Sequence, residues 1–211
     1  MKAVIIINFK TYKQGGEVLR LAKKIEKISK EIIIGLQPTD IFRVSRKVKL
    51  PVYSQHADYF EKGRNTGFIL PEAVKINGGK GVFLNHSEHK LKIKILKKTI
   101  ERCNEVRLKT AVFAGSLREA KKIKKMNPDY LIIEPPELVG GRISVSTAKP
   151  FLIKKLSRKL GRDFIVGAGI KTNKDIKTAL NLGARGVALS SVITKSKNPE
   201  KIMKKLFRDI V

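Results

Sequence analysis

Short apolar runs alternate with longer amphipathic stretches along the whole chain. The apolar runs have the length of buried β-strands, and the stretches between them show the spacing of amphipathic helices. This alternation is typical of repeated βα units that build a parallel sheet. The pattern predicts eight strands, at residues 3–8, 32–36, 52–55, 81–85, 109–113, 130–133, 164–166 and 186–189.

The connections between these runs predict the helices. Two connections, 40–47 and 70–77, are predicted as short helices at most. Clear helical periodicity covers 18–30, 91–104, 117–126, 147–160, 173–182 and 199–207. Eight parallel strands in 211 residues favour closure into a barrel, because closure leaves no edge strand and the length is typical of that fold. We therefore predict an α/β fold in which residues 1–211 form a single (β/α)8 barrel domain.

An open Rossmann-type sheet is the alternative arrangement for such a pattern. It requires a glycine-rich dinucleotide loop after the first strand. Residues 8–12 read Asn-Phe-Lys-Thr-Tyr and contain no glycine. The sequence therefore favours the barrel over the open sheet.

Net charge suggests a second class of function. The chain has 46 Lys and Arg against 18 Asp and Glu, a formal charge of +28, which is typical of proteins that bind nucleic acid. However, the basic residues occur in nearly every segment, and four Tyr with no Trp offer few stacking platforms. We interpret the excess as a solvated basic surface, which would also attract a small phosphate ester, and predict no specific nucleic-acid partner.

Other features restrict localisation and cofactors. The apolar run 3–7 is too short for a membrane span or a signal peptide, since Asn8 and Lys10 follow at once. One cysteine, Cys103, and three histidines leave little material for a disulfide framework or a metal site. We predict a soluble, cytoplasmic protein with no membrane partner, no metal and no cofactor.

The ends of the predicted strands carry the candidate chemistry. Barrel enzymes place their active sites on the loops after the C-terminal ends of the strands. Here those loops contain polar, titratable or small residues, at positions 8–10, 55–58, 85–88, 134–137, 167–169 and 190–191. Glu134 directly follows the buried run 130–133, and partial removal from water makes a carboxylate a better proton acceptor.

Several of these motifs resemble those of triosephosphate isomerases, in particular the compact archaeal form. They are Asn8-x-Lys10, Asn-His-Ser-Glu at 85–88, Glu-Pro-Pro-Glu-Leu-Val-Gly at 134–140, Gly-Ala-Gly at 167–169 and Ser190-Ser191. They occur in the right order from the first strand to the last. The resemblance implies a TIM barrel.

The resemblance also implies a reaction. Enzymes of this family interconvert dihydroxyacetone phosphate and D-glyceraldehyde 3-phosphate in glycolysis and gluconeogenesis, by proton transfer through an enediolate. Glu134 would be the base and His86 the electrophile. Lys10 and Asn8 would be catalytic residues beside them and would also bind the substrate. A turn beginning at Ser87 would direct amide dipoles at the imidazole and favour its neutral form.

The phosphate would lie against residues of the later loops. Gly169, Ser190 and Ser191 follow strands 7 and 8, the usual phosphate site of barrels. Gly140 resembles the residue of a lid that closes over the phosphate. The lid reads Gly-Gly-Arg at 140–142 where the family usually has Gly-Thr-Gly. The glycine at 167 is explained as well by a plain tight turn.

Two further expectations follow from the resemblance. Residues 55–58 and 65–67 are similar to the loop that projects into a neighbouring subunit, which implies at least a homodimer, and the short spacing from strand 4 to strand 6 fits a homotetramer. The alternatives are another phosphate-binding barrel enzyme and a basic nucleic-acid-binding protein. The first of these has no reason to combine Asn8, Lys10, His86 and Glu134.

Overall fold

The computed structural model describes residues 3–135 and 150–211. Within these residues the strands form one closed parallel barrel in sequence order, with β8 paired to β1. The strands are β1 Val4–Asn8, β2 Ile33–Leu36, β3 Val52–Ser54, β4 Gly81–Leu84, β5 Lys109–Ala114, β6 Tyr130–Ile133, β7 Ile165–Val166 and β8 Gly186–Leu189. This architecture confirms the predicted (β/α)8 barrel.

Helices cover the outside of the barrel. In the described residues they are α1 Gly16–Glu26, α2 Pro38–Ser45, α3 Pro71–Ile76, α4 Ile93–Glu105, α5 Leu117–Lys124, α6 Pro150–Leu160, α7 Asn173–Asn181, α8 Ser191–Thr194 and α9 Pro199–Leu206. Their apolar faces pack on the outward side chains of the strands, as in α1, which buries Val18, Leu21 and Ile25. No helix among the described residues is long and apolar enough to cross a membrane.

Alternate strand residues fill the barrel interior. Large inward side chains form a second core of buried Ile6, Ile33, Tyr53, Phe83, Ala111, Phe113, Ile132, Ile165 and Ala188. Gly35 makes this packing possible, because a Cβ there would lie 1.9 Å from the Phe83 ring. The interior of the barrel is therefore a packed core and not an open channel.

The predicted elements differ from the observed ones mainly at their ends. Asn85 lies beyond β4 because its backbone is left-handed, with φ 61°. The helix predicted over 18–30 already begins at Gly16 and ends at Glu26. The connection predicted over 40–47 is a helix of eight residues, and it begins at Pro38, which suits the first helical position. The four-residue α8 was not predicted.

Candidate active site

The C-terminal mouth of the barrel contains a small cavity of about 60 Å³ among the described residues. Each predicted site residue that the structure describes lines it: Asn8, Lys10, His86, Glu134, Gly169, Ser190 and Ser191. They come from the loops of five strands that are far apart in sequence. Gly140 and the rest of the predicted lid lie outside the described residues.

Glu134 directly follows β6, where its backbone N–H donates to the carbonyl oxygen of Ala114 at 2.9 Å. Its side chain is only 12% exposed, and Oε2 lies 3.3 Å from Nε2 of His86. Gly167 provides the space that this carboxylate occupies, because a Cβ at 167 would lie 2.2 Å from Glu134 Oε1. The small residue at 167 thus serves the carboxylate, which the tight-turn explanation alone does not predict.

His86 follows the left-handed Asn85, which directs the imidazole into the cavity. The N–H of Glu88 donates to His86 Nδ1 at 3.1 Å, so Nδ1 is an acceptor and the ring proton of a neutral imidazole lies on Nε2. A turn closes at this point through a bond from the N–H of His89 to the carbonyl of His86 at 2.9 Å. The expected turn after His86 is present, but it is not the start of a helix, since α4 begins only at Ile93.

Asn85 is itself held by three contacts. Its Nδ2 donates to the carbonyl of Phe113 and to Glu119 Oε1, both at 2.8 Å, and its Oδ1 accepts from the N–H of Leu91 at 3.0 Å. These bonds stabilise a backbone conformation that is uncommon for residues other than glycine. The direction of His86 therefore depends on a buried amide that lies beside it in sequence.

Glu119 also bonds the N–H of Gly115 at 2.7 Å and Nζ of Lys90 at 2.9 Å. Burial by itself would raise the pKa of Glu119, but the hydrogen bonds from Lys90, Gly115 and Asn85 outweigh it and hold this pKa below its ordinary value. Glu119 is therefore an ionised anchor for the loop that carries His86.

Lys10 has a left-handed backbone, with φ 47°, directly after β1 and Phe9. Its N–H donates to Asn8 Oδ1 at 2.9 Å, and its Nζ forms an ion pair with Glu88. Gln55 stabilises this turn from the next-but-one strand: its Nε2 donates to Asn8 Oδ1 at 3.1 Å and to the carbonyl of Lys10 at 2.9 Å. Asn8 and Gln55 thus hold the lysine in place from both sides.

The opposite wall of the cavity consists of small residues. Ala168 and Gly169 both have a left-handed backbone, with φ near 70°, and Ser190 precedes α8. The hydroxyl of Ser190 is buried and has no hydrogen-bond partner in the described parts of the chain. A buried donor without a partner is costly, and its position in the cavity wall indicates a group that can donate to an anionic ligand.

Two other histidines lie near the cavity without lining it. The His56 and His89 rings stack at 4.2 Å, and His56 Nε2 contacts Asp58 Oδ1 at 3.1 Å. Burial lowers the pKa of His56, and its hydrogen bond to Asp58 opposes that shift. The sequence assigned neither histidine a catalytic role.

A metal site is a separate question. The described residues contain no group of three or more His, Cys, Asp or Glu side chains that could hold a metal ion.

Burial raises the pKa of the Cys103 thiol to about 12, because it is enclosed in the outer core.

Four residues that shape the site were not predicted from the sequence: Gln55, Glu88, Glu119 and Gly167. Gln55 and Gly167 act on predicted residues of other loops. Glu88 contacts His86 within one turn and Lys10 across loops. Glu119 acts through Asn85. Gln55 and Glu88 belong to motifs that were already singled out, so their place at strand ends was the available signal. For Glu119, inside α5, no such signal exists.

Comparisons with known proteins identify the family to which the chain is similar. A family model described as triosephosphate isomerase matches residues 3–206. A triosephosphate isomerase of Saccharolobus solfataricus is 41% identical over 95% of this chain and 92% of its own length. One from Methanocaldococcus jannaschii is 38% identical over 98% of this chain and 100% of its own length.

A solved structure supports the fold independently. The crystal structure of triosephosphate isomerase from Bartonella henselae has a TM-score of 0.74, covers 99% of this chain and 100% of its own, and is 17% identical. At this identity the likeness bears on the architecture alone.

Proposed function

Because the chain belongs to the triosephosphate isomerase family, we propose that it interconverts dihydroxyacetone phosphate and D-glyceraldehyde 3-phosphate, with Glu134 as base and His86 as electrophile. The observation that carries these roles is the contact of 3.3 Å between Glu134 Oε2 and His86 Nε2 in a cavity that Lys10 also lines. A substrate that displaces this contact would have a carbon facing the carboxylate and its oxygens facing the imidazole.

Glu134 removes the proton from the carbon next to the carbonyl. The electrons of the broken C–H bond form a carbon–carbon double bond, and the carbonyl oxygen becomes the enediolate oxygen. Glu134 then returns the proton to the neighbouring carbon, so that one carboxylate serves both carbon steps. The hydroxyl proton of that neighbouring carbon passes to the former carbonyl oxygen by way of His86 Nε2, and the oxygen that loses it becomes the new carbonyl. No electrons enter or leave the substrate, and side chains alone suffice for the reaction without a cofactor.

His86 stabilises the enediolate oxygens. Its Nδ1 accepts from the N–H of Glu88, so its Nε2 carries the ring proton. This N–H contacts Glu134 in the structure and donates to the substrate once the substrate displaces that contact. A neutral donor fixed before the reaction stabilises developing negative charge without reorganisation at the transition state. Asn85 and Glu119 contribute by holding the imidazole in this direction.

Lys10 binds the substrate as a cation. In the described structure it pairs with Glu88, whose side chain is 58% exposed, whereas Lys10 is 15% exposed. The exposed carboxylate can turn away when an anionic substrate enters, and Lys10 then contacts the phosphate and the enediolate. Asn8 completes this side of the substrate.

The phosphate lies against Gly169, Ser190 and Ser191, with Gly140 of the predicted lid closing over it. Loops after strands 7 and 8 are the usual phosphate site of barrels. The unpaired hydroxyl of Ser190 supports this placement.

The proposal extends to the oligomeric state of the enzyme and its place in the cell. We infer that the enzyme is a cytoplasmic homodimer or homotetramer of single-domain chains spanning 1–211, with no specific nucleic-acid or membrane partner. Phe68 directly follows residues 65–67 of the loop predicted to reach a neighbouring subunit. It is 48% exposed and packs on Phe60, which supports self-association through this region.

A coupled assay tests the proposal. Purified wild-type enzyme should convert glyceraldehyde 3-phosphate, and Glu134→Gln should lower kcat by about 10³-fold, because the amide cannot accept the proton. Glu134→Asp, which keeps the base but shortens it, should lie between the two. Wild-type protein without turnover would contradict the reaction, and full activity of Glu134→Gln would remove Glu134 from it.

A further inference from the structure

The barrel has a second, larger cavity at the end opposite the candidate active site. It encloses about 590 Å³ at the N-terminal ends of the strands, which we call the N-terminal mouth. The first residues of β1, β2, β5 and β6 line it: Val4, Ile33, Lys109 and Tyr130. Cavities of this size bind drug-sized or nucleotide-sized ligands in other proteins.

Four cations surround this cavity. Lys30, Lys80, Arg107 and Lys109 line it, and the carboxylate among the lining residues is Glu31. None of the four has a hydrogen bond or ion pair from its side chain in the described parts of the chain. The side chains are exposed, so they can turn toward a ligand in the cavity.

The backbone brings these charges together. The N–H of Lys109 donates to the carbonyl of Lys80 at 3.1 Å, which places the two lysines at neighbouring strand starts. Arg107 has a left-handed backbone, with φ 57°. Like charges at adjacent positions repel one another, and a bound anion would reduce this repulsion.

The walls between the cations are largely aromatic and apolar. Tyr53 and Tyr130 line the cavity together with Pro51 and Ile33. Tyr53 is buried and its ring is fixed between neighbours, since a Cβ at Gly81 would lie 2.4 Å from it. Tyr130 is only partly buried, and Arg185 lies 5.6 Å from the centre of its ring. A ligand matched to this mouth has several negative charges and a flat apolar part.

We propose that the N-terminal mouth binds a small organic polyphosphate of nucleotide size, with its phosphates between Lys80, Arg107 and Lys109 and its flat part against Tyr130. This site lies at the opposite end of the barrel from Glu134 and does not depend on the proposed isomerase reaction. A nucleotide and an inorganic polyphosphate both carry linked phosphates. Only the nucleotide has a flat organic part, and this part distinguishes the two ligands.

Calorimetric titration with ATP in about 0.15 M salt tests this site, with excess glycerol 3-phosphate present to fill phosphate sites at the other mouth. We expect one ATP per chain. The variant Lys80→Glu/Lys109→Glu should weaken binding by about tenfold or more, because two attractions become repulsions. Tripolyphosphate should bind more weakly than ATP, and adenosine should show no binding.

The control is a matched change of charge elsewhere. Lys121→Glu/Lys125→Glu alters the net charge equally at two exposed lysines near α5, and should weaken ATP binding less than about twofold. Equal weakening in both double variants, or more than one ATP per chain, would overturn the proposal in favour of diffuse attraction to a basic surface. If tripolyphosphate binds as tightly as ATP, the proposal that the ligand has an organic part is overturned.

Isomerase activity reports whether the variants fold. Because Lys80 and Lys109 are remote from the candidate active site, unchanged turnover establishes that a loss of ATP binding is local. If Lys80→Glu/Lys109→Glu fails to fold, Lys80→Gln/Lys109→Gln takes its place, and ATP affinity equal to wild type in that variant would overturn the proposal.

Discussion

At the C-terminal mouth the predicted catalytic side chains face partners, whereas at the N-terminal mouth four cations line a cavity without ion pairs in the described residues. Lys10 pairs with Glu88, and His86 contacts both Glu88 and Glu134. Lys80 and Lys109, in contrast, meet each other through the backbone alone. Charge at the first mouth is held in a fixed geometry before any substrate arrives, which is what catalysis requires.

The difference has a structural origin. Parallel strands end at the C-terminal mouth in loops that return to the barrel and bond one another, as Gln55 bonds Asn8 and the carbonyl of Lys10. At the N-terminal mouth the lining charges are exposed side chains at the starts of strands. The same substitution made at each mouth therefore distinguishes the effect of a positioned charge from the effect of positive charge alone.

The lysines give the largest expected contrast. Lys10→Met should lower kcat/KM by roughly 10³-fold, since it removes a positioned cation from the substrate. Lys109→Met removes the same charge at the other mouth and should leave kcat/KM unchanged. Steady-state kinetics on both variants measure this contrast, and equal losses would mean that net charge, not position, attracts the substrate.

Two glycines give the next contrast. Gly167→Ala should lower kcat by about 10²-fold with little change in Tm, because a Cβ there would displace the Glu134 carboxylate. Gly186→Ala places a Cβ 2.0 Å from the carbonyl oxygen of Val4 at the N-terminal end, and should lower Tm instead. Steady-state kinetics and thermal unfolding of both variants measure these two effects. A Gly167→Ala enzyme of normal kcat would show that the carboxylate tolerates displacement.

Gln55 tests positioning without contact to the reacting atoms. Gln55→Leu should lower kcat by roughly tenfold, because the turn that carries Lys10 loses two hydrogen bonds. Gln14→Leu, at an exposed glutamine near the same loop, should have no effect. If Gln55→Leu loses stability while the remaining folded enzyme keeps its kcat, Gln55 has a structural role only.

Glu119 gives the smallest expected effect, which we expect to appear in the stability of the protein. Its pKa is below the ordinary value of about 4.3 when the protein is folded, so its ionised form stabilises the fold above that pH. This contribution is lost as the pH falls through the lowered folded pKa. Glu119→Gln should therefore destabilise the protein by roughly 0.5 kcal/mol at pH 7 and not at all well below pH 4.

Denaturant unfolding at the two pH values measures this difference. Glu101→Gln is a suitable control, since Glu101 pairs with Lys97 on the exposed face of α4 at 3.6 Å. Its variant should match wild type at both pH values. If Glu119→Gln lowers the free energy of unfolding equally at both pH values, Glu119 does not act as an ionised anchor.

The fold and much of the candidate site were accessible from the sequence for a physical reason. Apolar runs at regular spacing define strands, and strand ends define the mouth of a parallel barrel, so the order of residues along the chain is enough to group Lys10, His86 and Glu134. Gly167 and Glu119 could not be assigned in the same way, because their effects depend on side chains that meet across loops. Pattern along the chain carries no such distances.

The basic residues illustrate the same limit. They were interpreted as dispersed, and along the sequence they are. The parallel pairing of β4 with β5 brings residues 80 and 109 to neighbouring positions, so the cluster at the N-terminal mouth is visible only in three dimensions.

Hydrogen exchange with solvent tests the central role of Glu134 most directly. In D2O, wild-type enzyme should place deuterium on carbon 2 of glyceraldehyde 3-phosphate, and on one of the two hydrogen positions at the exchanging carbon of dihydroxyacetone phosphate, because one carboxylate acts on one face. Proton NMR follows both. Glu134→Gln should lose exchange and isomerisation to the same extent, whereas exchange at the wild-type rate in that variant would contradict Glu134 as the base.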